Sequence, residues 1–342
     1  MSAVTQVAAR WRSAGVTHDV RVAALGGGTG LPILLRGLRR WLGPRDPRCL
    51  TAIVSVADDG GSSGRLRRAF DVLPMGDLRN CLLALAEEST EMNELFSYRF
   101  DGNVDVGGHN LGNLILTALT DMGSGPSDAM ERASRWLDVR GRVLPSSLEP
   151  VILKAHFEDG CIIEGESRIA TSLQPIRRLE LGPESVRACP PALNALREAD
   201  LVLLGPGSLF TSLLPVLLVP GIAEAIVEGG ARVALICNLL TEPGETDGFS
   251  AADFVVALRD HVPALPLHDL LLHEGSLPAR ALQDAAPARP VCIDEEPLRF
   301  LGIRTIRRDL AGAAAPLRHD PDKLGRLVRE IALDVPCMAS RS

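Results

Sequence analysis

Val22-Ala-Ala-Leu-Gly26-Gly27-Gly28-Thr29-Gly30-Leu31 is an apolar run broken by a glycine turn, and it has a counterpart in Leu201-Val-Leu-Leu-Gly205-Pro206-Gly207-Ser208. Each apolar run is short enough to be a buried strand, and each glycine turn opens onto a helix-like stretch. Strands that alternate with helices in this way build a parallel sheet with crossover helices. A helix N-terminus presents unpaired backbone N–H groups and a partial positive charge. Both turns are therefore expected anion sites, phosphate above all. The fold expected is α/β: a Rossmann-like, mostly parallel sheet with flanking helices and a small antiparallel β insertion.

Outward from the first turn, Leu31–Leu42 reads as a helix and Leu50–Val56 as a second strand. Helices are expected at Asp77–Glu87, with Asp77 as N-cap, and at Leu111–Leu119 and Asp128–Leu137. The middle changes character. Val151–Phe157 and Cys161–Glu166 flank Glu158-Asp159-Gly160, and Asp-Gly between β-like runs signals a hairpin. Ile176–Leu181 reads as a third strand of this insertion, residues 150–181, which is either an antiparallel module or a sheet edge. Alternation resumes with Pro191–Glu198, Leu201–Leu204, Ile222–Glu228, Val233–Cys237 and Ser250–Arg259, and weakens from His268 onward. No repeat or low-complexity linker divides the chain. Residues 21–335 therefore read as one domain behind an extension, residues 1–20.

Of the 342 residues 46% are hydrophobic but only 4% aromatic, so aliphatic side chains and alanine must fill the core. Lys and Arg total 36 against 43 for Asp and Glu, a net charge of −7. That excludes nucleic acid as a bulk partner, because backbone phosphate binding needs a concentrated basic surface. The cations are Arg except Lys154 and Lys323, so phosphate contacts fall to Arg and backbone N–H groups. Seven dispersed cysteines without a Cys-x-x-Cys pair point to reduced thiols and a cytoplasmic location, not to disulfides or zinc. Arg10 and Arg12 precede no apolar segment of the signal-peptide kind. Leu201 to Ala223 carries no charged residue, but Pro206, Pro215 and Pro220 break it, so buried core is expected and not membrane insertion.

The first turn is not a dinucleotide fingerprint, which would need glycine at Leu31, nor a Walker A loop, which would need Gly-Lys-Ser/Thr. It does lie at the carboxyl end of the first strand, where open α/β sheets bind ligands. Gly27, Gly28, Thr29 and Gly30 are thus candidate binding residues. A second candidate loop follows the next strand: Asp58-Asp59-Gly60-Gly61-Ser62-Ser63-Gly64-Arg65. Two carboxylates there suit a ribose or base donor, or Mg²⁺ with Asp58 as its candidate ligand; the other reading is an N-cap in a solvated loop. Adjacent side chains point apart, so Asp58 and Asp59 are not expected to act alike. Ser62, Ser63 and Arg65 belong to the same loop; Arg65, with Arg67 and Arg68, reads either as a phosphate contact or as a solvated helix face.

Gly76-Asp77-Leu78-Arg79-Asn80 supplies a third wall through Asp77 and Asn80. In Gly107-Gly108-His109-Asn110-Leu111-Gly112-Asn113, His109 is either an acid/base or phosphate donor, or an exposed neighbour of an Asn110 cap. Gly205, Pro206, Gly207 and Ser208 form the fourth element. The polar loop Cys237 to Gly248 is the fifth, with Asn238 and Thr241. No Ser-His-Asp or Cys-His arrangement can be read, which leaves Asp58 and Asp59 as the catalytic candidates of an enzyme.

In this order the loops resemble the YvcK-type gluconeogenesis factors, a branch of the CofD-like superfamily. The resemblance is carried by Gly26–Leu38, Thr51–Arg67, Gly76–Ala84, Gly108–Leu119, Val139–Pro145, Gly165–Ile169, Ala199–Leu218 and Cys237–Gly248. It implies a Rossmann-like fold similar to that of the 2-phospho-L-lactate transferases, and a cytoplasmic protein. It also implies regulation by binding more than catalysis. Members bind UDP-sugars such as UDP-N-acetylglucosamine and are associated with growth on gluconeogenic carbon sources, cell shape and wall synthesis. Homo-oligomers and cell-wall-synthesis proteins are the partners so implied. The nucleotide site implied comprises Gly27, Gly28, Thr29, Asp58, Asp59, Asn113 and the Gly205–Ser208 turn, with a diphosphate between the two glycine turns.

Two features of the tail bear on that site. The family's Arg-Tyr pair is missing from Ala281–Val291, where Gln283 stands without an aromatic neighbour, so no stacking contact is expected there. Arg318-His319-Asp320 keeps the family's Arg-His-Asp, and Arg318 would reach a diphosphate bidentately. The alternative function is a Mg²⁺-dependent transferase of the 2-phospho-L-lactate type, since phosphoryl transfer needs only positioning and charge neutralisation. A third reading, NAD(P) binding, is opposed by the missing third glycine.

Overall fold

The computed structural model describes residues 20–42, 47–87, 90–102, 105–123 and 125–334. Nearly all of the expected N-terminal extension, and Cys337, lie outside them. The chain begins β1 (Val22–Gly26), α1 (Gly30–Leu42), β2 (Leu50–Val54), α2 (Gly61–Phe70), α3 (Met75–Leu85), α4 (Glu91–Ser97), α5 (Leu111–Met122), α6 (Pro126–Trp136) and β3 (Arg142–Pro145). The middle holds β4 (Ile152–Phe157), β5 (Ile162–Glu164), α7 (Glu166–Ala170) and β6 (Ile176–Gly182). Next come α8 (Pro190–Arg197), β7 (Leu201–Leu204), a π-helical turn over Leu209–Leu213, α9 (Leu214–Leu217), α10 (Ile222–Gly229) and β8 (Arg232–Ile236). The last elements are α11 (Ala251–His261), β9 (Asp269–His273), α12 (Ala279–Asp284), α13 (Glu295–Phe300), β10 (Arg304–Arg308) and α14 (Pro321–Leu333).

Seven strands pair in parallel in the order β10-β9-β8-β7-β1-β2-β3. Every residue of β1, β2 and β7 is buried, which is why these segments are uninterrupted apolar runs and not alternating ones. In register, Ala24 lies opposite Ala52 on one side and Leu203 on the other. From β1 the chain moves one way to β2 and β3, then returns to β7 on the other flank of β1. The boundary between β1 and β7 is therefore the topological switch point, where the carboxyl ends of the strands leave a crevice. Both glycine turns flank it.

The hairpin is present: β4 pairs antiparallel with β5 and with β6, giving a separate three-stranded sheet and not an edge of the main one. Its alternating burial, with Leu153, Ala155 and Phe157 inward, is the pattern of a sheet covered on one face.

Several boundaries differ from the sequence reading. β2 stops at Val54, and the Ser55 N–H makes the last ladder bond to β1, to the Gly26 carbonyl at 2.9 Å. Helix α3 starts at Met75 behind Pro74, so Asp77 is its third residue and not its N-cap. Cys81, Cys161, Cys189, Cys237 and Cys292 are free thiols. Among the described residues no single helix is long and apolar enough to cross a membrane. The apolar pair Leu209–Leu217 and Ile222–Gly229 is bent by 67°, and Leu209, Phe210, Val216, Ile222 and Ile226 are buried in the core.

Candidate functional site

The two glycine turns touch. A Cβ on Gly30 would lie 2.2 Å from the carbonyl oxygen of Pro206, so only glycine permits the approach. Gly28 adopts φ +58°, the left-handed conformation that lets the β1 turn double back. Its N–H donates to Asp77 Oδ2 at 2.6 Å. In the second turn the Gly207 N–H donates to Asn238 Oδ1 at 3.1 Å, and Asn238 Nδ2 returns a bond to the Gly207 carbonyl at 3.0 Å. Each turn, expected to hold phosphate with its amides, thus has one amide already engaged by a side chain from another loop. Ser208 caps the π-helical turn, its Oγ accepting from Thr211 N–H at 3.0 Å, and in turn donates to Glu245. Thr211 Oγ1 donates to the other Glu245 oxygen at 2.9 Å. A π turn at this position is the kind of helix irregularity that functional sites favour.

Carboxylates crowd the mouth of this crevice. Asp58 and Asp59 do act differently: Asp58 Oδ1 accepts its own loop's Gly60 N–H at 2.9 Å. Asp59 reaches away to Ser167, accepting its N–H at 2.9 Å and its hydroxyl at 2.7 Å. The Asp59 side chain thereby satisfies a first-turn donor of α7 and ties the β2 loop to the insertion, which is a structural role. Glu166 beside it is pushed up to about 8 by burial and then by Asp58, Asp59, Glu245 and Asp77. Burial raises Asp77 to about 6, against the Gly28 hydrogen bond, with Asp58 adding to the rise. Glu242 is raised to about 7 by burial and by Glu245, and burial raises Glu245 as well. Among the described residues none of these carboxylates is in an ion pair, and no three acidic, His or Cys side chains converge as a metal cage.

The Gly76–Asn80 segment and the Gly107–Asn113 loop join Ser62 in one hydrogen-bond chain. His109 Nδ1 lies 3.0 Å from Ser62 Oγ, which also accepts Asn113 Nδ2 at 3.2 Å. Arg79 donates to Asn113 Oδ1 at 2.9 Å and to Asn80 Oδ1 at 2.7 Å. His109 is neither exposed nor poised as a free acid: it is buried, and burial with Arg65 and Arg99 nearby holds it below its ordinary pKa. The Asn110 cap is present, accepting Gly112 N–H at 2.9 Å. Arg65 binds the Gly107 carbonyl at 2.9 Å and so clamps this loop. Ser63 is buried under Gly76.

Beyond Asn238 the carboxyl ends of β8 and β9 border a pocket of 510 Å³, lined by Asn238, Leu239, Leu272, His273, Leu282 and Arg307 among others. Thr241 stands in the loop that follows Asn238. Its hydroxyl accepts Arg289 N–H at 3.0 Å and its N–H reaches the Arg289 carbonyl at 2.7 Å, pinning the tail loop over the sheet. Arg318 is exposed, while its neighbour His319 is buried against the Cys237 backbone and held down to about 4 by that burial.

Sequence reasoning assembled both glycine turns, Asp58, Asp77, Ser208 and Asn238 at one place. Glu166, Glu242, Glu245 and Arg79 were not among its named candidates, although Arg79 and the two later glutamates lie in segments it singled out. Glu166 follows Gly165 as the first residue of α7, and Glu242 and Glu245 flank Pro243-Gly244 in the loop after β8.

Residues 22–311 match the family model described as 2-phospho-L-lactate transferase CofD. A protein of Halalkalibacterium halodurans named gluconeogenesis factor is 42% identical over 312 residues, covering 90% of this chain and 95% of that protein. One of the same name from Bacillus subtilis is 42% identical over 314 residues, covering 91% of this chain and 98% of that protein. A crystal structure of a UPF0052 family protein from Bacillus halodurans superposes with a TM-score of 0.86 at 42% identity, covering 91% of this chain and 99% of that chain.

Proposed function

Because this chain belongs to the CofD family, among the gluconeogenesis factors, we propose that its switch-point crevice binds a nucleotide sugar of the UDP-N-acetylglucosamine kind. The observation that carries the proposal is the contact between the Gly26–Gly30 and Gly205–Ser208 turns. Two turns aimed at one crevice suit a ligand with two phosphates. Binding there is regulatory: ligand occupancy reports the supply of nucleotide sugar, supports growth on gluconeogenic carbon sources and adjusts cell shape. It does so in the cytoplasm, as a homo-oligomer working through cell-wall-synthesis partners.

The carboxylates set a condition on such a ligand. A diphosphate beside Asp58, Asp77, Glu166, Glu242 and Glu245 is repelled unless protons or a cation offset the charge. Mg²⁺ usually takes one or two carboxylates with phosphate oxygens and water, not a cage of protein ligands, and the residues present fit that habit. Asp58 and Asp77 would hold it. The ion would supply charge neutralisation on the phosphates.

The same carboxylates favour the second reading, a Mg²⁺-dependent transferase with Asp58 beside the transferred group. NAD(P) is the third. Calorimetry with UDP-N-acetylglucosamine, GDP and NADP, each with and without Mg²⁺, separates them. The proposal expects tight binding of the UDP-sugar. Tight GDP binding with Mg²⁺ and none of the UDP-sugar would replace it with the transferase.

A further inference from the structure

The antiparallel insertion brings Glu166 beside Asp58 and Asp77, and it meets the crevice loops at three places. Asp59 holds the N–H and the hydroxyl of Ser167. Helix α7 packs against the π-helical turn. Gly244, between Glu242 and Glu245, lies so close that a Cβ on it would stand 3.0 Å from the Leu173 Cα. A fourth tie comes from outside these loops. His261, the last residue of α11, accepts the Leu179 N–H of β6 on Nε2 at 3.0 Å. β6 is an edge strand of the small sheet, and this N–H points away from β4. Leu179 is buried, so His261 supplies the acceptor that a further strand would otherwise give.

The same ring supports the π turn. Its edge-to-face partner is Phe210, with ring centroids 5.8 Å apart, and Phe249 also packs edge to face on Phe210 at 6.1 Å. Phe210 belongs to the turn that Ser208 caps and that Thr211 ties to Glu245. One side chain thus joins β6, α11 and the turn that presents Ser208. The two hydrogen bonds fix its protonation. The Ala257 carbonyl can only accept, so Nδ1 donates to it at 2.7 Å, and Nε2, which accepts from Leu179, carries no proton. Only the neutral ring makes both bonds; a second proton sets an N–H on Nε2 against the Leu179 N–H. Burial holds the ring below its ordinary pKa, against the Ala257 carbonyl; Arg178 of β6 adds to the fall and Asp260, beside it on α11, opposes it.

We propose that His261 is a positioning residue: by joining β6 to the π turn it sets how closely the insertion stands to the crevice, and it strengthens ligand binding there without touching the ligand. The joint is a property of the empty chain, and its effect on affinity rests on the nucleotide reading of the crevice. Because both bonds need the neutral ring, acid loosens the joint below the ordinary histidine range.

The test uses two variants of the full chain. His261→Phe keeps a ring against Phe210 but offers Leu179 no acceptor. His261→Gln offers an amide oxygen near the Nε2 position and does not titrate. Hydrogen exchange of the ligand-free chain is read over β6 and over residues 208–213 by mass spectrometry, and UDP-N-acetylglucosamine affinity is read by calorimetry from about pH 8 to about pH 5. In His261→Phe both segments are expected to exchange faster than in the native protein, and affinity near pH 7 to fall about tenfold. In His261→Gln exchange and affinity near pH 7 stay close to native, and the native loss of affinity on the acid side shrinks. Native affinity in folded His261→Phe, or faster exchange confined to β6, overturns the proposal, and so does native exchange over both segments. If His261→Phe does not fold, the acid side of His261→Gln decides: a smaller loss than native supports the joint, and an equal loss overturns it. If the native protein binds no UDP-N-acetylglucosamine, the nucleotide reading fails alone, and exchange over residues 208–213 decides the joint.

Discussion

Asp269, the first residue of β9, and Asp77, in the first turn of α3, are both enclosed acids, and the chain treats them oppositely. Asp269 sits at the amino edge, fully buried, with Arg232 donating at 2.6 and 3.0 Å and Arg304 at 2.7 Å. At the same edge Asp200 accepts the Arg21 N–H at 2.8 Å. Asp77 stands at the carboxyl edge with a single backbone donor, Gly28, among Asp58, Glu166 and Glu245, and none of the four has an ion-pair partner among the described residues. Charge that serves the fold is neutralised within the chain. Charge at the crevice is left for an incoming cation, proton or ligand to neutralise, and burial first, with neighbouring acids adding to it, raises Asp77, Glu166 and Glu242 to about 6, 8 and 7.

The sharpest way to break this contrast is to remove one acid from each edge. Asp269→Ala strands two arginines that now face one another, at a cost of about 3 kcal/mol in urea unfolding, while nucleotide affinity of the folded protein holds. A shift under a few tenths would mean that the triad does not support the fold. Gly30→Ala is expected to cost about 2 kcal/mol, because the new methyl meets Pro206 backbone that cannot yield without parting the turns. Unlike Asp269→Ala, it should also abolish measurable nucleotide binding by calorimetry.

The carboxyl-edge acids should also show in binding. Without divalent cations, UDP-N-acetylglucosamine affinity is expected to rise about tenfold from pH 8 to pH 6, as Glu166 and Glu242 take up the protons that offset the ligand's charge. Added Mg²⁺ should flatten that profile. A profile that is flat without Mg²⁺ would remove these acids from the site.

The smallest effect is on the empty protein. Asp77 has its folded pKa raised from 3.8 to about 6, so it binds more protons folded than unfolded in that window, and its contribution to stability falls as pH rises through it. Asp77→Asn removes this penalty while its amide oxygen can still accept from Gly28. The variant should be about 1 kcal/mol more stable than the native protein at pH 8, with no gain at pH 3.5, by thermal melting across pH. A destabilised variant at pH 8 would show the carboxylate to be structural.

The sequence reading succeeded where signals are local. β1, β2 and β7 are continuous apolar runs ending in glycine or polar turns, and Asp159-Gly160 marks the hairpin. It failed where pairing decides. β9 is only Leu270, Leu271 and Leu272 between Asp269 and His273, and its polar ends make sense only once Arg232 and Arg304 lie alongside. β10, Arg304-Thr-Ile-Arg-Arg308, looks like solvated surface because it is the outermost strand of the sheet. Helix α2 opens on Gly61 and carries three arginines, so its apolar stripe is too thin to register. The Asp77–Gly28 and Asn238–Gly207 bonds join residues 49 and 31 positions apart, and no local pattern announces them.

The most direct test of the central claim, that the carboxyl edge and not the amino edge meets a ligand, is a crystal structure of the full chain grown with UDP-N-acetylglucosamine. The diphosphate is expected between the Gly26–Gly30 and Gly205–Ser208 turns. Nucleotide density on any other face, or none at saturating ligand, would contradict the account.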